Sequence, residues 1–275
     1  MTIHYRHHRY AGNKGDLWKH FILHEVIGLL NQPARILDCH GGAGYYSLAP
    51  GQEWKRGLGE ISVSHLASSH WLHDEWFSGV WQRFQERIYW GSWVQLAHLQ
   101  STRQLTVCDH NPDVVAAIDS SHGTHNNVTP VQTDSFAWLH QHYREFDFIF
   151  MDPAYSLKDG LGDDWLKLSS WFQSTSDSPP SLAWYPLYGP NKPNDICDRF
   201  PVSGIEIHWP TTRKSAFVPK GCGLFLSTEL LSTALSPEGK RRWQDFAKLL
   251  GGALVMRSKT NLTKRHHFGD SGTFA

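Results

Sequence analysis

Apolar and polar positions along the chain follow two alternating periods, and the alternation predicts an α/β protein. Leu17, His20, Phe21, Val26 and Leu30 recur at helical spacing behind Asp16, which is placed as the N-cap of a first helix. Ala34 to Asp38 reads as a short buried strand running into the loop His40-Gly41-Gly42-Ala43-Gly44. A second strand covers 104–108 and ends at Asp109, followed by a short helix from Pro112 to Ile118 with proline near its first position. Val128 to Gln132 is a third strand and 134–143 a helix. Phe146 to Met151 is a fourth strand, almost wholly apolar, ending at Asp152. Further strands are predicted at 182–185, 205–209 and 223–227, with helices near 163–174 and 237–250. Strands of this kind, alternating with helices, imply a mostly parallel sheet covered on both faces. Ligands of such sheets bind beyond the carboxyl ends of the strands. Segments 38–44, 109, 134–135 and 152–155 all fall at those ends.

Residues 52–100 break the pattern. They have helical character, through Trp71, Trp76, Trp81 and Phe84, and little strand signal. In a compact dinucleotide fold the ribose-binding acid lies roughly 20 residues past the glycines, and Asp109 lies much farther on. The expected organisation is therefore a core of 1–51 and 101–275 with a small helical insertion at 52–100. The chain from about 257 onward reads as a weakly structured tail.

At 275 residues the chain is long enough to bury a substantial core. No apolar run reaches membrane-spanning length, and Met1 to Tyr10 is polar rather than signal-like, so a cytoplasmic protein without membrane partners is expected. The four cysteines are scattered with no CxxC pair, which argues against a disulfide framework or a zinc knuckle. Formal charge is zero, so bulk electrostatics do not announce a polyanion as partner. The distribution says more. Arg6, Arg9, Lys14 and Lys19 face only Asp16 in the first twenty residues, and Lys240, Arg241, Arg242, Arg257, Lys259, Lys264 and Arg265 crowd the far end. The histidines His7-His8 and His266-His267 are adjacent pairs that cannot face one site from a regular element. No HExxH set appears, so no metal is expected.

The segments at the strand ends carry candidate chemistry. Glycines in 41–44 let the backbone pass close to a ligand without a Cβ clash. Asp109 offers a carboxylate that can accept two hydrogen bonds from a vicinal diol. Asp152-Pro153-Ala154-Tyr155, directly after the apolar strand, resembles the Asp/Asn-Pro-Pro-aromatic motif of amino-methyltransferases, with Ala154 in place of the second proline. An exocyclic amine conjugated with its ring is a poor nucleophile. A carboxylate and a carbonyl accepting its two N–H bonds free its lone pair, Pro153 fixes the local backbone, and Tyr155 offers a face for an extruded base.

In these segments the chain resembles the RlmJ-type large-subunit ribosomal RNA adenine-N6 methyltransferases. The resemblance is carried by Tyr5-Arg-His-His-Arg-Tyr-Ala-Gly-Asn13, Asp16-Leu-Trp-Lys-His20, Leu37-Asp-Cys-His-Gly-Gly-Ala-Gly-Tyr-Tyr46 and Tyr89-Trp-Gly-Ser92. It continues through Asp109, Asp134-Ser135-Phe136, Asp152-Pro-Ala-Tyr155 and Ala183-Trp-Tyr-Pro186. It spans roughly residues 1–230. It implies a class I methyltransferase fold, Rossmann-like, using S-adenosyl-L-methionine. The implied cofactor contacts are Lys19, His20, His40, Ser92, Asp109, Asp134 and Ser135, with Asp109 one methylene shorter than the family's glutamate. Asp152, with Pro153 and Tyr155, is the implied catalytic motif, and Tyr5 and Tyr155 the implied substrate contacts. The implied partner is 23S ribosomal RNA, protein-free or early in assembly, met by a monomer. Two other readings stay open: a DNA adenine methyltransferase, and a non-catalytic nucleic-acid-binding protein linked to use of external DNA.

Overall fold

The computed structural model describes residues 6–30, 33–61, 66, 70–121, 124–155, 163–174, 177–187, 202–210, 220–227, 230 and 236–257. Tyr5, and the tail beyond 257, lie outside the described residues.

An eight-stranded sheet runs through the molecule in the order β10-β8-β9-β7-β6-β1-β4-β5. Its strands are β1 (Arg35–Asp38), β4 (Gln104–Asp109), β5 (Val128–Gln132), β6 (Phe148–Met151), β7 (Ser181–Pro186), β8 (Val202–His208), β9 (Gly221–Ser227) and β10 (Ala253–Arg257). β1 sits between β4 and β6 and is parallel to both, with Ile36 opposite Leu105 on one side and Phe148 on the other. Burial explains the apolar runs: every residue of β6, and all of β1 after Arg35, is buried. Pro130 is tolerated because β5 is the sheet edge, where a missing N–H costs no ladder bond. β9 lies antiparallel between β7 and β8, and β10 pairs antiparallel with β8. A parallel 3-2-1-4-5 order extended by such an antiparallel strand is the class I S-adenosylmethionine-dependent methyltransferase fold, Rossmann-like and mostly parallel, as expected.

The helices are α1 (Lys14–Leu29), α2 (Glu75–Gln85), α3 (Ser92–Ala97), α4 (Pro112–Ser120), α5 (Ser135–His142), α6 (Asp163–Ser174) and α7 (Pro237–Leu249). α1 packs against β9, α7 and α2, and is buried along most of its length. Its N-cap is Asn13, whose side chain accepts from the Asp16 amide, rather than Asp16 as the spacing suggested. The helix starts at Lys14, so Asp16 falls in the first turn, and its carboxylate is turned to Gly12 N–H and Lys19 instead.

Between β1 and β4 the chain is not purely helical. β2 (Tyr45–Ser47) and β3 (Ile88–Trp90) pair as an antiparallel ribbon, with Tyr46 opposite Tyr89. Within it lie the single turn Glu53–Arg56 and helix α2, which is capped by Asp74. Aromatic packing joins this region to the core: Phe21 of α1 and Phe246 of α7 stack at 4.0 Å, and Trp71, Trp76 and Phe77 surround them. No helix among the described residues is long and apolar enough to cross a membrane.

Candidate active site at the carboxyl ends of the strands

The glycine loop follows β1 because the chain must turn there under tight packing. A Cβ on Gly41 would lie 2.1 Å from a Val107 methyl, and one on Gly44 2.2 Å from the Trp93 ring. Gly42 and Gly44 also have φ values of 59° and 77°, a region that L side chains rarely adopt. The loop's backbone is then read by the next strand. Asp109, at the end of β4, accepts Gly42 N–H at 3.2 Å through one oxygen and Asn111 N–H at 2.8 Å through the other. A carboxylate has about four lone-pair directions, so two hydroxyls of a ribose can still be received. The loop and Asp109 fit the adenosine portion of S-adenosylmethionine on that ground.

Asp38 closes β1 and is completely buried. It accepts the Ser92 hydroxyl at 2.5 Å and His40 N–H at 3.2 Å. Burial pushes its carboxyl up to about 7, against the opposing pull of those two hydrogen bonds. Ser92 is thus held by Asp38 at the first turn of α3. The sequence reading passed over Asp38 as a site residue, although its place directly before the glycine loop was the signal for it.

Asp152 leaves the end of β6 and is held from two sides. Its carboxylate meets Lys19 Nζ at 2.5 Å, and the same ammonium donates to Asp16 at 2.9 Å. Lys19 is 4% exposed. Burial works against its charge, but the two carboxylates outweigh burial and raise its pKa above the ordinary lysine value. The backbone N–H of Asp152 donates to His40 Nδ1 at 3.2 Å. That bond leaves the proton of a neutral ring on Nε2, and burial lowers the His40 pKa to about 3. His40 thereby joins the glycine loop to the Asp152 motif.

The remaining expected residues take these positions. His20 meets the Tyr89 hydroxyl at 2.6 Å through Nδ1 and stacks on that ring. Asp134 caps α5 by accepting from Phe136 and Ala137, and pairs with Lys167 at 2.8 Å. The Ser135 hydroxyl donates to the Cys39 carbonyl. Pro153 is buried and Ala154 exposed. Tyr155 is turned inward: it is 4% exposed, its hydroxyl donates to the Trp184 carbonyl at 2.7 Å, and its φ of 35° is unusual for a residue with a side chain. The structure brings Lys19, His40, Asp109 and Asp152 together around the ends of β1, β4 and β6. No group of three or more metal-ligating side chains occurs among the described residues.

No family model and no curated protein matches the chain. Among solved structures it is similar to protein LPL1258 of Legionella pneumophila (family model DUF519). The TM-score is 0.70 and the identity 20%, over 90% of this chain and 98% of that one. At that identity the likeness concerns the fold. Two looser likenesses are to a putative methyltransferase, YhhF, of Escherichia coli and to spermidine synthase of Thermotoga maritima. The first has a TM-score of 0.37 at 11% identity, covering 77% of this chain and 84% of that one. The second has 0.45 at 15%, covering 91% and 74%. Neither is close enough in geometry to bear on activity.

Proposed function

We propose that the chain is an S-adenosylmethionine-dependent methyltransferase acting on adenine N6 in 23S ribosomal RNA. The observation that carries the reading is the setting of Asp152: a carboxylate at the end of β6, paired with a buried lysine and tied through His40 to the glycine loop. When bound, S-adenosylmethionine supplies an electrophilic methyl group. Asp109 and the glycine loop would hold the adenosine, and Asp152 would accept one N–H of the target amine. Held in place by Lys19, Asp152 would contribute alignment and charge stabilisation as the nitrogen becomes cationic, and the proton is then lost to water. Tyr155 would stack on the base only after its ring swings out from Trp184.

The test is label transfer from radioactive cofactor to protein-free large-subunit RNA, to a hairpin cut from it, and to duplex DNA, under identical low-salt conditions. An adenine in a short stem-loop costs less to extract than one inside a duplex, so RNA is expected to be labelled faster. Preferential labelling of duplex DNA would replace the substrate. Binding of S-adenosylhomocysteine with no labelling of any nucleic acid would favour a binding protein, the reading to which the inward-turned Tyr155 lends some support.

A further inference from the structure

An open recess of about 360 Å³ lies away from the strand ends, where the chain leaves the β2–β3 ribbon and re-enters it. Leu48 and Pro50 form one wall, the turn residues Trp54 and Lys55 another, and Arg87 the third. Two acids of this region are engaged by ion pairs, and a third, Glu86, is exposed beside Arg87. Glu53 faces Arg56 at 3.6 Å, and Glu60 meets Lys14 at 2.6 Å. Lys55 and Arg87 are exposed, and among the described residues neither has an acidic partner. The Arg87 guanidinium lies 5.1 Å from the centre of the Trp54 ring, which leaves its donor edge available. Arg87 is also held at φ 61°, with its N–H donating to Phe84 O at 3.0 Å and its carbonyl accepting from Leu48 N–H at 2.8 Å. An arginine in that backbone region is disfavoured where glycine would be at ease, and its guanidinium packs over the Trp54 and Phe84 rings without an acidic partner among the described residues.

The turn that walls the recess packs on the loop that leads to the candidate active site. Gly57 presses so closely on the N-terminal loop that a Cβ there would lie 2.2 Å from Gly12 O and 2.7 Å from the Asn13 Cα. Asn13 caps α1, and Asp16 binds Gly12 N–H and Lys19 together. Two exposed cations beside an aromatic wall, with Glu53 and Glu60 held by other cations, complement a phosphodiester chain.

We infer that this recess binds the sugar–phosphate backbone of the RNA strand that flanks the target adenine, with Lys55 and Arg87 each contacting a phosphate. The inference rests on the RNA reading above for its ligand, but not on catalysis. Its test is fluorescence anisotropy of a labelled RNA hairpin with an adenine-rich loop, titrated with full-length protein across a range of salt. Lys55→Gln with Arg87→Gly removes both charges, and glycine suits the backbone at position 87. The double variant is expected to bind about tenfold more weakly at low salt, with a log–log salt slope shallower by about 1.4, or about 0.7 per lost phosphate contact. Lys55→Gln alone, at an exposed side chain, should give about half that change in slope. Arg103→Gln, at the start of β4 and so at the opposite end of the strands, removes one charge and should change neither quantity.

Unchanged affinity and slope in the double variant would overturn the inference, as would an equal effect from Arg103→Gln. An unaltered protein with no salt-dependent affinity for the hairpin would remove both this inference and the RNA reading. Hairpin binding that depends on Lys55 and Arg87 but brings no methyl transfer would uphold the recess and remove the catalytic reading.

Discussion

At the scale of single residues, the site is an arrangement of charges whose partners decide what each can do. Asp109 has spare lone pairs toward a ribose. Asp109→Ala should weaken S-adenosylhomocysteine binding by about 1.5–3 kcal/mol, the usual loss for charged hydrogen bonds, as read by calorimetry; unchanged affinity would move the ribose contact elsewhere. Lys19 was expected to touch cofactor; two of its three ammonium donors meet Asp152 and Asp16, which leaves one for that contact. Lys19→Met strands two nearly buried carboxylates and should cost about 3–5 kcal/mol of stability in a denaturant titration. It should abolish methyl transfer while leaving cofactor affinity within a few-fold. Loss of cofactor affinity in the folded variant would instead place this lysine against the cofactor. Asp38 and His40 oppose each other in pH. The Asp38 carboxyl is raised to about 7, so its contribution to stability is complete below its unfolded value and is lost as pH rises toward 7. His40 is lowered to about 3, so its contribution is complete above the unfolded histidine value and is lost as pH falls toward 3. Between pH 4 and 7 the two slopes partly cancel. In thermal melts Asp38→Asn should steepen the fall in stability as pH drops from 7 to 4, and His40→Asn should make stability fall as pH rises over the same interval. Parallel profiles for the two variants would contradict the assignment.

At the scale of elements, legibility followed length and repetition. β4, β5 and β6 stood out because each is a run of residues bounded by an acid or a turn, and α6 and α7 because their apolar stripes persist for three turns or more. β2 and β3 went unseen. Three residues, Tyr45–Ser47 and Ile88–Trp90, are too few for a period of two to register, and they pair across the whole insertion. β10 was missed for another reason: Ala253–Arg257 is an apolar run without alternation directly after a helix, and on the edge of the sheet it is only partly buried. The Lys19 pairing was illegible in another sense, since no local pattern tells a lysine that its carboxylate lies on β6. The glycine loop was visible as composition, but its reason was not. Trp93 on α3 packs against Gly44, so the loop's shape is set by the insertion that follows it. Gly44→Ala meets both the Trp93 ring and a φ of 77°. It should destabilise the protein by about 2–4 kcal/mol and lower cofactor affinity with it, measured by denaturant titration and calorimetry on the same sample. An alanine variant with wild-type stability would mean that the loop relaxes freely.

At the scale of the whole molecule, a mostly parallel sheet was implied by the alternation of elements, while the strand order and the direction of the last three strands were not. Parallel pairing follows from helical crossovers, but the antiparallel insertion of β9 depends on which edge the chain reaches after β8. The fold's likeness to a Legionella protein at 20% identity is the same lesson from outside: packing constraints outlast residue identity. The bond between Lys19 and Asp152 spans 133 positions of the chain, and its two ends cannot meet until β6 has docked beside β1 and α1 has been laid across β9. Closing so long a loop comes late, after the local contacts that offset its entropy. Under the proposed activity, catalytic competence would therefore be acquired late in folding. After dilution from urea, methyl transfer should return with the slowest phase of tryptophan fluorescence and never ahead of it. Activity that recovers before fluorescence settles would show that the ion pair forms early. The same ordering holds during synthesis. A ribosome that stalls before codon 152 releases a polypeptide whose lysine has only Asp16 to answer it, and under the proposed activity such truncated products would transfer no methyl group.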